Sequence, residues 1–322
     1  IIICWNKSDA AASYELKIDL GGDAPETLTV EDKSATEKKA ALSSEQINKI
    51  TGTHKLIFSI TSVDENEYLS VTDREAEIDL PLFAGKEKAG KNEYVLIYNA
   101  RHFKNISDKT LNYKLIDDIT LTSWTSLEGY NGIFEGNGKT ITFSLNEPTY
   151  GIFKSTTADA IVKNITVEGN IVGKLDSFTG SDGNLDYYPV AGIVASNGGQ
   201  IINCINNAAI TGASSAKHIG GIAGKNLLGA TIAESFNYGN IATSGPHAGG
   251  ISGDNYGTIL KCGNNAQIIS STSAVGGISG YSNNSSIYES YNTGFVKGTG
   301  SAGGISGNCA GACVITDCFN AG

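Results

Sequence analysis

From residue 93 onward the apolar positions come in short bursts, each closed by Gly, Asn or Ser, and no ten-residue stretch keeps a helical period. Such bursts predict short strands joined by tight turns. Gly-Ile pairs recur at 192–193, 221–222, 250–251, 277–278 and 304–305, with spacings of 29, 29, 27 and 27. They sit in the words AGIVA, GGIAG and three copies of GGISG. Degenerate copies stand at Gly132-Ile133-Phe134 and Gly151-Ile152-Phe153, and the step from 151 to 192 predicts an insertion at 172–190. A second word recurs within each period: VKNITVEGNI (162–171), IINCINNAAI (201–210), IAESFNYGNI (232–241), ILKCGNNAQI (259–268), IYESYNTGFV (287–296) and the partial ITDCFNAG (315–322).

Several short strands per period of this size predict a solenoid. Ile193, Ile222, Ile251, Ile278 and Ile305 then form one interior line, and Val162, Ile201, Ile232, Ile259, Ile287 and Ile315 another. Ile165, Cys204, Ser235, Cys262, Ser290 and Cys318 make a column of mostly small residues. Asn206, Asn237, Asn264, Asn292 and Asn320 make an amide column, in which each side chain can donate to one neighbour and accept from the other. That role is structural. Asn also tolerates the left-handed backbone that a sharp corner requires.

Composition agrees with a turn-rich architecture: Gly supplies 40 of 322 residues, and charged residues only 17%. No run of 18 apolar residues exists to form a spanning helix. The net charge of −10 lies wholly within 1–190, because 191–322 balances four Lys against four acids. It disfavours a nucleic-acid partner, which calls for a basic footprint. The chain holds no Met, as expected of a processed or truncated polypeptide, and Ile1-Ile2-Ile3-Cys4 reads either as a first strand or as the remnant of a signal or lipoprotein segment.

These words resemble the GLUG-motif repeat family, whose copies run G-G-I/L-x-G, a variable stretch, then I-x-x-C/S-x-N-x-G-x-I. Tyr113–Ile119 followed by Gly132–Ile141 is similar to that family's opening segment, and the resemblance covers 93–322. It implies a right-handed parallel β-helix on bacterial cell-surface or secreted proteins, including regions attached to IgA-protease-like metallopeptidases. That peptidase chemistry uses an H-E-x-x-H helix. The four His (54, 102, 218, 247) are isolated from such a context.

Residues 1–92 lack the repeat. YELKIDL (14–20), ETLTVED (26–32), HKLIFSITS (54–62), EYLSVTD (67–73) and EAEIDLPLF (75–83) predict strands, and SATEKKAALSSEQINKI (34–50) a short helix. The fold class expected is therefore all-β: a small sandwich-like N-terminal domain with one short helix, then the β-helix at 93–322. Within 93–110, YVLIYNARHFKNI (94–106) is expected to form a helix capping the open end.

Cys204, Cys262 and Cys318 lie two coils apart, about 9.6 Å, beyond the roughly 7 Å Cα limit for a disulfide, and read as core residues. Cys309 and Cys313 flank one loop and are candidates for a bridge. The insertion carries the candidate binding residues Asp176, Asp182, Asp186, Tyr187 and Tyr188, since paired Tyr beside carboxylates suits sugar rings. The third column of the second word, including Glu234, Lys261, Glu289 and Asp317, reads as a surface charge ladder. The neighbouring Glu289 and Asp317 are the place to look for a raised pKa or a bound cation. No metal site, cofactor or catalytic group is expected, and the chain reads as a non-catalytic extracellular adhesion scaffold or stalk for a glycan or surface protein. The alternatives are a polysaccharide lyase or glycosidase on the same fold, and a self-assembling filament protein. The chain stops inside a repeat, which anticipates either further repeats or end-to-end contact with another chain.

Overall fold

The computed structural model describes residues 85–322 except 175–176, 180–184, 213–216 and 272–273, together with 2–6, 13–19, 26–32, 37–42, 57–63, 69–72 and 83. Its chain divides into two compact units: Ile1–Ala84 with Asn99–Asn105, and Gly85–Tyr98 with Ile106–Gly322.

In the first unit, Ile2–Asn6 pairs antiparallel with Glu37–Ala41, which also takes Glu31–Asp32. Ser13–Asp19 lies between Glu26–Leu28 and Ile57–Val63, and Leu69–Thr72 completes that antiparallel sheet. The helix expected within 34–50 gives way to strand at Glu37–Ala41. Partners on both edges outweigh the helix preference of Ala and Lys, and Lys39 reaches Glu31 across the pair at 3.1 Å. The one helix among the described residues is Ala100–Lys104, where the Asn99 carboxamide oxygen accepts from the His102 N–H at 3.0 Å.

The second unit is a parallel β-solenoid of about six turns. A six-rung ladder contains Phe153–Ser155, Val194–Asn197, Ala223–Asn226, Ser252–Asn255, Ser279–Asn283 and Ser306–Ala310. A five-rung ladder contains Val190–Ala191, His218–Gly220, His247–Gly249, Ala274–Gly276 and Ser301–Gly303. The two meet at the Gly-Gly-Ile corners. A broader face takes three short strands from each regular coil, such as Thr231–Ala233, Phe236–Asn237 and Ile241–Thr243. Of the helix expected over 94–106, only Ala100–Lys104 is helical; Asn92–Ile97 is strand, hydrogen bonded antiparallel to Lys86–Ala89 and parallel to Asn112–Leu115. The apolar run Tyr94-Val95-Leu96-Ile97, buried except at Leu96, is better served by this sheet, and Lys86 and Lys88 stand exposed on its outer strand.

The interior lines fall where the periodicity puts them except in the last coil, where Ile305 is half-buried and Ile315 exposed. Ile193, Ile222, Ile251 and Ile278 have no exposed surface, nor do Val162, Ile201, Ile232, Ile259 and Ile287. Ile201↔Ile232↔Ile259↔Ile287↔Ile315 are consecutive register partners. The amide column is continuous: each Nδ2 donates to the next Oδ1, at 2.8 Å from Asn206 to Asn237, 2.8 Å to Asn264, 2.7 Å to Asn292 and 2.7 Å to Asn320. A second buried ladder links Asn197, Asn226 and Asn255 at 2.9 Å per step.

The left-handed residues are not in the amide column but in the charge-ladder column: Asn164, Asn203, Glu234, Lys261, Glu289 and Asp317 all have φ between +46° and +56°. The kink aims the next side chain at the carbonyl two residues back. The Ser235 and Ser290 hydroxyls donate there at 2.8 and 2.7 Å, and the Cys204 and Cys262 thiols at 3.3 Å. From Cys204 onward this position holds a small donor, Ser or Cys, while Ile165 fills it without one in the first coil. Burial pushes the Cys204 and Cys262 thiols up to about 12, so both are inert. A non-Gly residue in this conformation costs roughly 1–2 kcal/mol, against the ~0.5–1 kcal/mol entropic cost of Gly. Glu234→Gly is therefore expected to raise stability by up to about 1 kcal/mol, and Glu234→Val to lower it, as read from the urea midpoint.

Candidate functional site

Two places on the solenoid depart from its regular columns. The first adjoins the insertion, where Ser177–Thr179 and Leu185–Tyr187 pair as an antiparallel hairpin. Asp176 and Asp182 lie outside the described residues, and Asp186 and Tyr187 belong to the second hairpin strand. Tyr188 follows it, half-buried, with its ring 5.6 Å from that of Tyr150 in an edge-to-face contact. The Lys154 ammonium lies 3.8 Å over the Tyr188 ring and 3.2 Å from Glu128. Lys154, Tyr188, Glu128, Lys225 and Leu227 line a cleft of about 270 Å³. An aromatic face, two cations and a carboxylate in one small cleft suit a hydroxyl-rich or anionic ligand.

The second place is the acute corner between the five-rung and six-rung ladders. His218 and His247 are register partners on adjacent coils, and Asp254 faces them from the other side of the corner. Asp254 Oδ1 lies 2.6 Å from His247 Nδ1 and Oδ2 lies 2.9 Å from His218 Nδ1. Asp254 is 1% exposed, and the Tyr256 hydroxyl donates to Oδ2 at 3.2 Å. The Tyr281 ring stacks on His247 with centroids 5.0 Å apart. Burial acts to raise the Asp254 pKa, but the two imidazoles set against its oxygens outweigh it and hold the carboxyl well below its ordinary value. The corner closes this tightly because Gly253 has no side chain: a Cβ there would stand 2.5 Å from the Ile219 nitrogen of the preceding coil. The isolated positions of His218 and His247 in the sequence conceal this meeting. It becomes visible only when the repeats are aligned, since each His precedes its corner Gly by three residues and Asp254 follows its Ile by three.

The remaining sequence candidates are dispersed. Lys261 Nζ stands 3.9 Å from Glu289 Oε2 with both side chains about half exposed, a surface pair of small energetic weight. Asp317 occupies the same column one coil on. Cys309 and Cys313 are free thiols rather than a disulfide. Cys313 is partly buried with its sulfur 3.9 Å from the Ser285 hydroxyl, and burial, then the neighbouring Cys309 thiol, raises its pKa. Among the described residues no helix is long and apolar enough to cross a membrane.

Among solved structures, the chain is similar to a crystal structure from Bacteroides ovatus provisionally named an immunoglobulin A1 protease. The identity is 19% over 73% of this chain and 87% of that one, with a TM-score of 0.50. A structure named IgA1 protease aligns at 14% identity and a TM-score of 0.48, covering 99% of this chain and 29% of that one. No family model and no curated protein matches the chain. At 19% identity the likeness shows a common fold. It also corrects the expectation of a non-catalytic chain: the solenoid occurs in a protein named for a protease, and the fold does not argue against enzyme activity.

Proposed function

We propose that this chain is a secreted or surface-exposed bacterial β-solenoid of the GLUG-repeat type, and that the cleft beside its insertion binds a glycan or a glycan-bearing surface protein. The observation that carries the reading is the Lys154 ammonium held 3.8 Å over the Tyr188 ring at the mouth of a cleft that also holds Glu128 and Lys225. With Lys154 over one face, the Tyr188 ring forms an apolar wall of the cleft, while the flanking charges meet the hydroxyl or carboxylate groups of a sugar. The rigid coils fix the cleft, and the paired strands Ser177–Thr179 and Leu185–Tyr187 lead straight to Tyr188 in its wall. The Bacteroides ovatus neighbour is named for immunoglobulin A1, which makes that protein the first partner to test beside glycans.

The test is a glycan array and an immobilised immunoglobulin A1 surface, with release of cleaved products followed on the same samples. Wild-type binding is expected to weaken about tenfold or more in Tyr188→Ala, and similarly in Lys154→Met, the loss of roughly 1.4 kcal/mol or more. Binding that both variants retain, or no binding by the wild type, overturns the reading.

A further inference from the structure

The repeat supplies its own control for the His218–Asp254–His247 corner. Successive coils carry Pro189, His218, His247, Ala274 and Ser301 at one register position, and Ser196, Lys225, Asp254, Tyr281 and Asn308 at the facing one. The corner therefore forms equally well with Ala274 opposite Tyr281 or with Ser301 opposite Asn308. Nothing in the solenoid demands two imidazoles and a buried carboxylate, yet they converge once, with their ligand atoms all within 4.8 Å of one another.

We propose that His218, His247 and Asp254 bind a divalent transition-metal ion of the zinc class, leaving one coordination position open beside His247.

The donor set is two imidazole nitrogens and one carboxylate, which suits zinc and its neighbours rather than calcium or magnesium. His247 Nδ1 is hydrogen bonded to the carboxylate Oδ1 at 2.6 Å, and His218 Nδ1 lies 2.9 Å from Oδ2. An ion about 2.0–2.2 Å from each ligand holds tetrahedral ligands roughly 3.4 Å apart. Seating an ion there thus opens the two contacts by about 0.5 and 0.8 Å, a displacement of side chains and not of coils. The outer shell is built: the Tyr256 hydroxyl orients the carboxylate, and the Tyr281 ring buttresses His247. His218 and Asp254 are 8% and 1% exposed, whereas the His247 side chain is 25% exposed, so a fourth ligand, water or substrate, enters from that side. Lys225, in register with Asp254, is the cation flanking the cluster, and it also lines the cleft that holds Tyr188.

The experiment is titration of tag-free, chelator-dialysed protein with Co²⁺ and Zn²⁺, read by metal content, by the visible absorption of bound Co²⁺ and by the melting temperature. One equivalent is expected, with a tetrahedral Co²⁺ spectrum and a melting temperature that rises with Zn²⁺ and falls back with EDTA. His247→Ala places at that position the residue the next coil uses, so it is expected to fold. It should weaken binding by more than the roughly 10- to 100-fold that losing an outer-shell partner costs. His218→Ala should do the same. A wild type that takes up no stoichiometric metal overturns the proposal and leaves the cluster as hydrogen-bonded His–Asp pairs. Metal uptake unchanged in both variants overturns it equally.

Discussion

Ile251→Asp is expected to abolish folding of the solenoid. Ile251 is fully buried in the middle of its line, with its N–H bonded to the Ile278 carbonyl at 2.9 Å and its carbonyl accepting from Ile222 at 3.1 Å. An ionised carboxylate there has no cation or donor in reach, and the idealised cost of such burial runs to tens of kcal/mol. Protonation avoids most of that cost, but leaves a polar group facing Ile222 and Ile278. Losing the Ile side chain removes about 2–3 kcal/mol of burial and leaves a cavity. Those sums match or exceed the roughly 5–15 kcal/mol by which domains are stable. Soluble yield, far-ultraviolet circular dichroism and thermal unfolding measure the outcome, with Ile251→Val, expected to cost about 0.5–1.5 kcal/mol, as the reference. A soluble Ile251→Asp variant melting cooperatively near the wild-type temperature would show that the line does not face the interior.

That line was readable because each coil repeats one environment, so the residue answering it recurs at a fixed spacing. The same logic exposes Asn206 to Asn320, where one amide per coil meets the next. It weakens where a column serves a backbone need that several side chains meet. Asn203, Glu234, Lys261 and Glu289 share a left-handed φ but no chemistry, so their column reads as charge patterning while its common property is conformational. The second ladder, Asn197–Asn226–Asn255, lasts only three coils before Ser282 and Cys309 take over its register. The His–Asp corner occurs once, between two ladders, and periodicity registers recurrence rather than exception. In the first unit nothing repeats. There Glu37–Ala41 is strand because Ile2–Asn6 and Glu31–Asp32 flank it, a fact of tertiary pairing that local propensity does not contain.

Asn264→Ala is expected to cost about 3–6 kcal/mol, with the same change at Asn320 costing about 1 kcal/mol or less. The Asn264 Oδ1 accepts from Asn237 at 2.8 Å, while its Nδ2 donates to Asn292 at 2.7 Å and to the Ala266 carbonyl at 2.9 Å. Truncation leaves a donor on Asn237, an acceptor on Asn292 and a carbonyl without these bonds in a site closed to water, each worth about 1–3 kcal/mol. Asn320 is exposed, and water replaces what its removal takes away. The neighbourhood cannot relax into the gap either. Gly250 packs on this amide so closely that a Cβ would lie 2.3 Å from Asn264 Cγ and 2.2 Å from the Gly277 carbonyl oxygen. The same contact recurs between Gly221 and Asn237 and between Gly277 and Asn292, which is why the Gly-Gly-Ile word and the Asn column travel together. Chemical denaturation of the two Asn variants decides the matter. A large loss confined to the central position supports the ladder as a buried hydrogen-bond chain. Equal losses at both positions would mean that Asn acts through its own turn, each coil independently, and that stacking contributes little.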